Sequence, residues 1–244
     1  MRNQLNGGTG PLLYEGKAKR VYQTADNEQL LVVYKDDATA FNGEKKGTIP
    51  GKGRINCEMS ALLFEKLEEE GIPTHFIRLE SPGQMVVKAV KILPVEVIVR
   101  NMASGSLQRR LNVAEGTVLK HPILEFCYKN DDLGDPLVND DHITALEWAS
   151  PEQLLRIRQL ALEINAKLQA FFETAALILV DFKLEFGLYR NEVILADEIS
   201  PDTCRLWDAE THQKLDKDRF RQDLGGVEEA YEEVMKRVRE AAAL

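Results

Sequence analysis

The hydrophobic pattern of this chain changes period several times, and each change predicts an element. Short β-rich runs at residues 12–14, 21–22 and 30–34, split by turn residues, predict an N-terminal antiparallel meander. Residues 35–53 are polar and end among Gly47, Pro50, Gly51 and Gly53, which predicts a loop. Ile55, Met59, Leu62, Leu63 and Leu67 then recur at helical spacing over residues 55–70, and Gly71-Ile72-Pro73 stops that helix. Residues 75–79, 85–90 and 95–99 read as further strands, the last two parted by Pro94. Residues 107–111 suggest a short helix, and residues 116–142 a loop-rich excursion carrying Asp131, Asp132, Asp135, Asp140 and Asp141. The clearest helix covers residues 151–174. Ser150 is placed to cap it, Pro151 takes its first position and Gln153 completes a capping box. Strands over residues 177–186 and 193–199 and a helix over residues 227–243 close the chain.

Strands, helix, strands, helix, hairpin, helix is the order of an α+β fold. The break at Ser81-Pro82-Gly83 predicts an N-terminal β-rich lobe over residues 1–83 and a C-terminal α+β lobe over residues 84–244. There are no internal repeats and no low-complexity linker.

One strand breaks the usual division of labour. In Leu179-Val180-Asp181-Phe182-Lys183-Leu184-Glu185-Phe186-Gly187, charges occupy every second position. Alternation puts Asp181, Lys183 and Glu185 on one face and Phe182, Leu184 and Phe186 on the other. Such a face meets solvent, a ligand or a metal. A turn centred on Arg190-Asn191-Glu192 would set Glu185 opposite Asp197. Carboxylates facing each other across a ladder repel unless something positive lies between them, and Mg²⁺ held by one or two carboxylates and substrate phosphates fits. A solvent-exposed sheet face, with the register off by one, is the competing reading.

Two other segments suggest anion chemistry. In residues 14–22, Gly16 allows close backbone approach while Lys17 and Lys19 alternate around Ala18. The segment lacks the P-loop's second glycine and Lys-Ser/Thr pair, and looks more like the glycine loop over ATP in a kinase-like lobe. A solvated basic turn is the plainer alternative. In residues 93–106 a buried strand runs into Arg100 and then a small polar loop with Ser104 and Ser106 opening a helix, a setting for phosphate or carboxylate. It also reads as a structural turn with a capping serine. Residues 215–221 carry mixed charges and read as a solvated helix start.

Composition narrows these options. A net charge of -9 argues against nucleic-acid binding through phosphates, but leaves room for phosphate-bearing small ligands. The three cysteines, Cys57, Cys127 and Cys204, give neither a disulfide framework nor metal spacing, and suggest reduced thiols in a cytoplasmic protein. No apolar run approaches the ~18 residues of a membrane span. The first ten residues lack a signal-peptide apolar region and read as a loose tail. The four histidines make no metal spacing, and no G-x-S-x-G or comparable nucleophile motif is present.

Together, Gly16-Lys17-Ala18-Lys19, residues 93–106, residues 179–187, Asp197-Glu198-Ile199-Ser200-Pro201-Asp202, Arg205-Leu206-Trp207-Asp208, residues 216–221 and Leu224-Gly225-Gly226 resemble the SAICAR synthetase family. The likeness runs from about Leu12 to the C-terminal helix. It implies a two-lobed fold with a kinase- or ATP-grasp-like ATP cleft between an antiparallel-sheet N-terminal lobe and a larger α+β C-terminal lobe. It also implies an ATP-dependent ligase of purine biosynthesis that joins L-aspartate to carboxylated aminoimidazole ribonucleotide (CAIR), through an acyl phosphate, to give SAICAR, ADP and phosphate. By resemblance, Glu185 and Asp197 hold Mg²⁺, while Gly16, Lys17, Lys19 and Lys88 serve the ATP phosphates. Arg100, Ser106 and Arg205 bind CAIR's ribose phosphate and neighbouring groups. Asp181 and Lys183 line the phosphoryl-transfer site, and the adenine lies against residues 90–95. The loop Ala38-Thr39-Ala40-Phe41-Asn42-Gly43 resembles the bacterial form, with Asn42 where some members carry Asp. The family also suggests a homodimer, with no nucleic-acid or membrane partner. A small-molecule kinase with a similar cleft is the second hypothesis, although kinase H-R-D and D-F-G motifs are absent. A non-catalytic nucleotide-binding protein is the third, and the charge density on the 181–197 hairpin argues against it.

Overall fold

The computed structural model describes residues 10–40 and 43–243. The tail reading for the first residues, apart from Gly10, and any role for Asn42 therefore lie outside the described residues. The chain builds an α+β fold from two antiparallel sheets, a separate two-stranded hairpin and helices.

The first sheet contains β1 (Leu12–Glu15), β2 (Lys19–Gln23), β3 (Gln29–Tyr34), β6 (Phe76–Ser81) and β7 (Gln84–Lys88), in the order β1-β2-β3-β7-β6. The expected meander forms. Ser81-Pro82-Gly83, expected to part the lobes, is instead the turn of the β6–β7 hairpin within this sheet, so the change of sheet falls at Ala89–Val90. The expected loop at 35–53 also contains structure. β4 (Asp37–Ala40) and β5 (Lys45–Thr48) pair there, and Asp36 accepts the backbone N–H groups of Gly51 and Gly53 at 3.1 and 2.8 Å. That carboxylate caps the helix that follows, α1 (Lys52–Glu69). Gly71, at φ 85°, ends it as the sequence predicts.

The second sheet runs β10 (Leu137–Val138), β9 (Val118–Tyr128), β8 (Lys91–Met102), β11 (Leu177–Tyr189), β12 (Glu192–Ala196). β13 (Cys204–Asp208) shares the far edge of β11 with β12: it pairs the first half of β11, and β12 pairs the second. Two sequence expectations fail here. The excursion over 116–142 holds the 11-residue β9, in which Lys120, His121 and Pro122 interrupt the apolar pattern ahead of Leu124 and Phe126. Pro94 does not break β8: it lies where the β11 pairing jumps from Glu185↔Glu96 to Gly187↔Ile92, an irregularity that spares the missing N–H. The remaining helices are α2 (Gly105–Leu111), α3 (Asp140–Ala145), α4 (Pro151–Thr174), α5 (Asp218–Arg221) and, as the last element, α6 (Val227–Ala242). α4 has the predicted bounds and the predicted Ser150–Gln153 capping box.

β11 is the organising strand. Val180 is an extra residue against β13: Leu179 faces Leu206, but Asp181 faces Arg205. The bulge reverses the faces. Leu177 and Leu179 enter the core before it, and Phe182, Leu184 and Phe186 enter the same core after it. That core is one cluster, continuous from Val32 and Met85 in the first sheet to the residues of β11, α1, α4 and α6. Beyond the bulge the odd positions are left to Asp181, Lys183 and Glu185, as alternation predicts.

Gly187 marks where β11 passes Val90. A Cβ there would lie 2.8 Å from Val90 Cγ2 and 2.9 Å from its Cβ. Gly187→Ala should therefore destabilise the protein by about 1–3 kcal/mol through overpacking. Thermal denaturation checks this, and an unchanged midpoint would show that the crossover tolerates a side chain.

Candidate active site

The charged face of β11 forms the floor of a cleft of about 640 Å³. β8 supplies the next row of the floor: Val95, Val97 and Val99 point to the core, which leaves Glu96, Ile98 and Arg100 to the cleft. Gly16 and Lys17 of the β1–β2 loop and Lys19 at the start of β2 border the cleft from the first sheet, and Thr39, Ala40 and Gly43 border it from the β4–β5 segment.

The first cluster surrounds Glu185, whose carboxylate is almost wholly buried. The register differs by one residue from the sequence expectation. Arg190 and Asn191 both take positive φ, 51° and 69°, and make a two-residue turn, so Glu185 faces Ala196. The carboxylate directly opposite Glu185 is Glu96, on β8. The repulsion is relieved as electrostatics demands: Lys183 Nζ lies 2.7 Å from Glu185 and 2.9 Å from Glu96. Lys129 bonds the other Glu185 oxygen. Asp197 still joins the cluster, because β12 ends at Ala196 and Asp197 turns out of it at φ 61°. Its carboxylate is 3.8 Å from Lys183 Nζ and 2.5 Å from Lys19 Nζ, and Lys19 also reaches Glu198 at 2.9 Å. Lys19 comes from the first sheet, so this contact ties the two sheets across the cleft.

These ions hold one another charged. Burial alone would lower the pKa of Lys19, but the Asp197 and Glu198 carboxylates overcome it and hold the ammonium well above the usual lysine range. Burial likewise opposes charge on Lys183, and Glu185, Asp197 and Glu96 reverse it. Burial pushes Asp197 up, while Lys19, Lys183 and Lys129 bring it below the ordinary aspartate range. Glu96 goes the other way: burial dominates and raises its pKa in spite of Lys183.

The second cluster surrounds Asp181, which faces Arg100 on β8 and Arg205 on β13 at the same level of the sheet. Arg100 Nη1 bonds Asp181 at 2.8 Å, and Arg205 Nη1 bonds both Asp181 oxygens at 3.0 Å. Arg100, itself almost inaccessible, also donates to Glu125 and Ser106, both at 2.8 Å. Arg205 donates through Nε to Asp218 at 2.8 Å. Its guanidinium covers Gly105, where a Cβ would lie 2.4 Å from Nη2. Only glycine, here at φ 55°, lets that arginine lie so close to the start of α2.

Of the residues singled out from sequence, Gly16, Lys17, Lys19, Arg100, Ser106, Asp181, Lys183, Glu185, Asp197 and Arg205 all line this cleft. Lys88 does not. Its backbone N–H binds the carbonyl of His75, and its ammonium is drawn to the Thr74 carbonyl at 2.7 Å, with Glu68 at 3.7 Å. Sequence reasoning missed Lys129 and Glu96. The first follows the unrecognised β9; the second shares the alternation that pointed to Arg100 and could have been found from it. It also misjudged residues 215–221 as solvated: Asp216 and Asp218 are buried. Among the described residues no group of three or more carboxylate, histidine or cysteine side chains is arranged around a metal position. Glu185 and Asp197 do share Lys183 as a common cation, which makes their donor set suitable for a divalent cation completed by phosphate oxygens.

The SAICAR synthetase family model matches residues 12–238. A phosphoribosylaminoimidazole-succinocarboxamide synthase of Desulfitobacterium hafniense is 59% identical over 231 residues, 95% of this chain and 97% of that protein. The crystal structure of the enzyme of that name from Ehrlichia chaffeensis superposes with a TM-score of 0.92 at 45% identity, covering 94% of this chain and 98% of that one. A SAICAR synthetase solved in complex with ADP gives 0.89 at 46% identity, covering 92% and 96%. The chain belongs to the SAICAR synthetase family, the ATP-dependent ligases of purine biosynthesis.

Proposed function

We propose that this protein joins the amine of L-aspartate to the carboxylate of CAIR at the expense of ATP, and that the two charge clusters of the cleft divide the work. The observation that carries the reading is their adjacency on one strand. Asp181 with its arginines and Glu185 with its lysines are four residues apart on the same face of β11.

A carboxylate is a poor acyl donor, so its oxygen must first acquire a leaving group. The CAIR carboxylate oxygen attacks the γ-phosphorus of ATP, the bond to the β-phosphate oxygen breaks, and ADP leaves. The aspartate amine then attacks the acyl carbon and loses a proton, and inorganic phosphate leaves with the C–O bonding pair. Phosphoryl transfer needs positioning and charge neutralisation more than covalent help from the protein. Gly16, Lys17 and Lys19 serve the ATP phosphates, and Lys129 and Lys183 supply cations where the γ-phosphoryl group moves. Glu185 and Asp197 would hold Mg²⁺, which would supply further charge neutralisation to the phosphates. Arg100, Arg205 and Ser106 bind the ribotide, with Asp181 fixing both guanidinium planes. Lys88 is assigned no part, because its ammonium is committed to the Thr74 carbonyl. A homodimer in the cytoplasm, without nucleic-acid or membrane partners, completes the reading. No helix among the described residues is long and apolar enough to cross a membrane.

An ADP-release assay with ATP, Mg²⁺, CAIR and aspartate, omitting each in turn, should give ADP and SAICAR in equal amounts only when all four are present. ADP release that ignores aspartate, with no SAICAR formed, would return the protein to the kinase alternative.

Asp197→Asn should lower kcat/KM by roughly a hundredfold or more at limiting Mg²⁺, as expected for removing one preorganised charge from a transition-state site. Excess Mg²⁺ should restore part of the activity, and the fold should persist, which circular dichroism checks. Wild-type turnover at low Mg²⁺ would remove Asp197 from the metal site.

A further inference from the structure

Glu198 is a buried carboxylate to which the reaction gives no task. It follows Asp197 in the chain, and both reach the Lys19 ammonium, Asp197 at 2.5 Å and Glu198 at 2.9 Å. Neighbours along an extended strand point to opposite faces. These two converge because β12 has ended at Ala196 and Asp197 takes a φ of 61°, which turns the chain between them.

The two carboxylates are not equivalent. Asp197 is 19% exposed, and its second oxygen lies 3.8 Å from Lys183 Nζ, beyond hydrogen-bonding distance. Glu198 is only 4% exposed and has both oxygens engaged. Its Oε1 takes Lys19, and its Oε2 accepts from Ser200 Oγ at 2.6 Å.

That hydroxyl is itself fixed. Ser200 is inaccessible; its Oγ accepts the Asp202 N–H at 3.1 Å, and its own N–H donates to Thr203 Oγ1 at 3.1 Å. Ile199, between Glu198 and Ser200, has both backbone groups bonded to Ser60 Oγ of α1, its N–H at 3.2 Å and its carbonyl at 3.1 Å. Asp202 is anchored behind the cleft by Lys52 of α1 at 2.8 Å and by Tyr231 Oη of α6 at 2.6 Å. Glu198 thus belongs to a corner fastened to two helices, whereas Asp197 stands in the cleft. The Tyr34 ring, 5.1 Å from Lys19 Nζ, gives the ammonium a further wall.

We infer that Glu198 is a positioning residue for Lys19, keeping its ammonium on the phosphate side of the cleft when Asp197 turns to a divalent cation. The inference rests on the ligase reading and deepens it. An aspartate shared between a divalent cation and an ammonium holds the ammonium weakly, because the two cations repel. With Asp197 as its sole carboxylate, Lys19 would lose its place as the metal site filled. Glu198 stays with it. Turning Glu198 itself toward the cation would strip Lys19 or Ser200 of its partner and leave a buried polar group unpaired. The neighbours therefore divide the work: one carboxylate is released to the cation and the other is retained by the lysine.

Glu198→Gln keeps the shape and an oxygen for Ser200, and removes the charge. In steady-state SAICAR formation it should raise KM for Mg·ATP by roughly tenfold or more, as when one partner of a buried charge pair is lost, with KM for CAIR and aspartate nearly unchanged. Affinity for Mg·ADP, measured by titration calorimetry without turnover, should fall by a similar factor. Ser200→Ala leaves the charge and loosens its anchor, so it should shift both constants the same way by less. The deciding readout is the double variant. Because Glu198 acts through Lys19, Glu198→Gln should take little further Mg·ADP affinity from Lys19→Met. Additive losses would mean that Glu198 meets the nucleotide or its cation directly, and would overturn the inference. Equal rises in all three KM values, the mark of a merely structural role, would overturn it too, as would unchanged constants. If Glu198→Gln does not fold, which thermal denaturation reports, Ser200→Ala takes its place in the cycle with Lys19→Met. Failure of the ligase reading would show instead as no SAICAR from any form, and the Mg·ADP cycle would still decide the role of Glu198.

Discussion

Carboxylates taken out of water cost several kcal/mol each unless cations and hydrogen bonds replace the lost solvation. β11 buries two of them, Asp181 and Glu185, on the face opposite its core side chains. The surroundings of the cleft answer that demand. Two arginines from two neighbouring strands meet Asp181, and Lys183 and Lys129 meet Glu185. Those cations need further anions, which Glu125, Asp218 and Glu96 supply. The result is a connected ionic layer in which removing any one member exposes its partner to an uncompensated buried charge. Such a layer holds side chains in one arrangement, which suits a site that must position three substrates.

The layer exists because β11 changes faces. Without the extra residue at Val180, the odd positions that carry Leu177 and Leu179 into the core would carry Asp181, Lys183 and Glu185 there as well. The bulge lets one strand anchor the core at its start and build the floor of the site beyond, while its even positions keep Phe182, Leu184 and Phe186 against the core. Fold and site therefore share a cause, a one-residue irregularity in a single ladder.

This division explains what the sequence makes legible. Alternation along 181–186 gives the two faces correctly because a buried strand must obey it. The Ser150–Gln153 box gives α4 to the residue because capping is local chemistry. What escapes is whatever depends on another segment. The turn at Arg190-Asn191 is one residue shorter than expected, since Arg190 gives no hint of its positive φ, and the partner of Glu185 becomes Glu96 rather than Asp197. β9 is masked by the Lys120-His121-Pro122 interruption in its middle, and so Lys129, the residue just beyond its end, goes unnoticed. The 216–221 stretch looks solvated because the groups that balance its buried carboxylates include Arg205 and the Leu206 N–H, which lie ten or more residues away on β13.

Full mutual pairing within the floor of the cleft also constrains how substrates enter. Lys19, Lys129 and Lys183 are committed to carboxylates in the protein itself. On the ligase reading they can turn to phosphate oxygens only if other positive charge takes their place against Glu185 and Asp197, because a bare buried carboxylate would cost more than one phosphate contact returns. On that reading nucleotide and divalent cation would enter as a pair, and each lysine would exchange one anion for another instead of acquiring a new one.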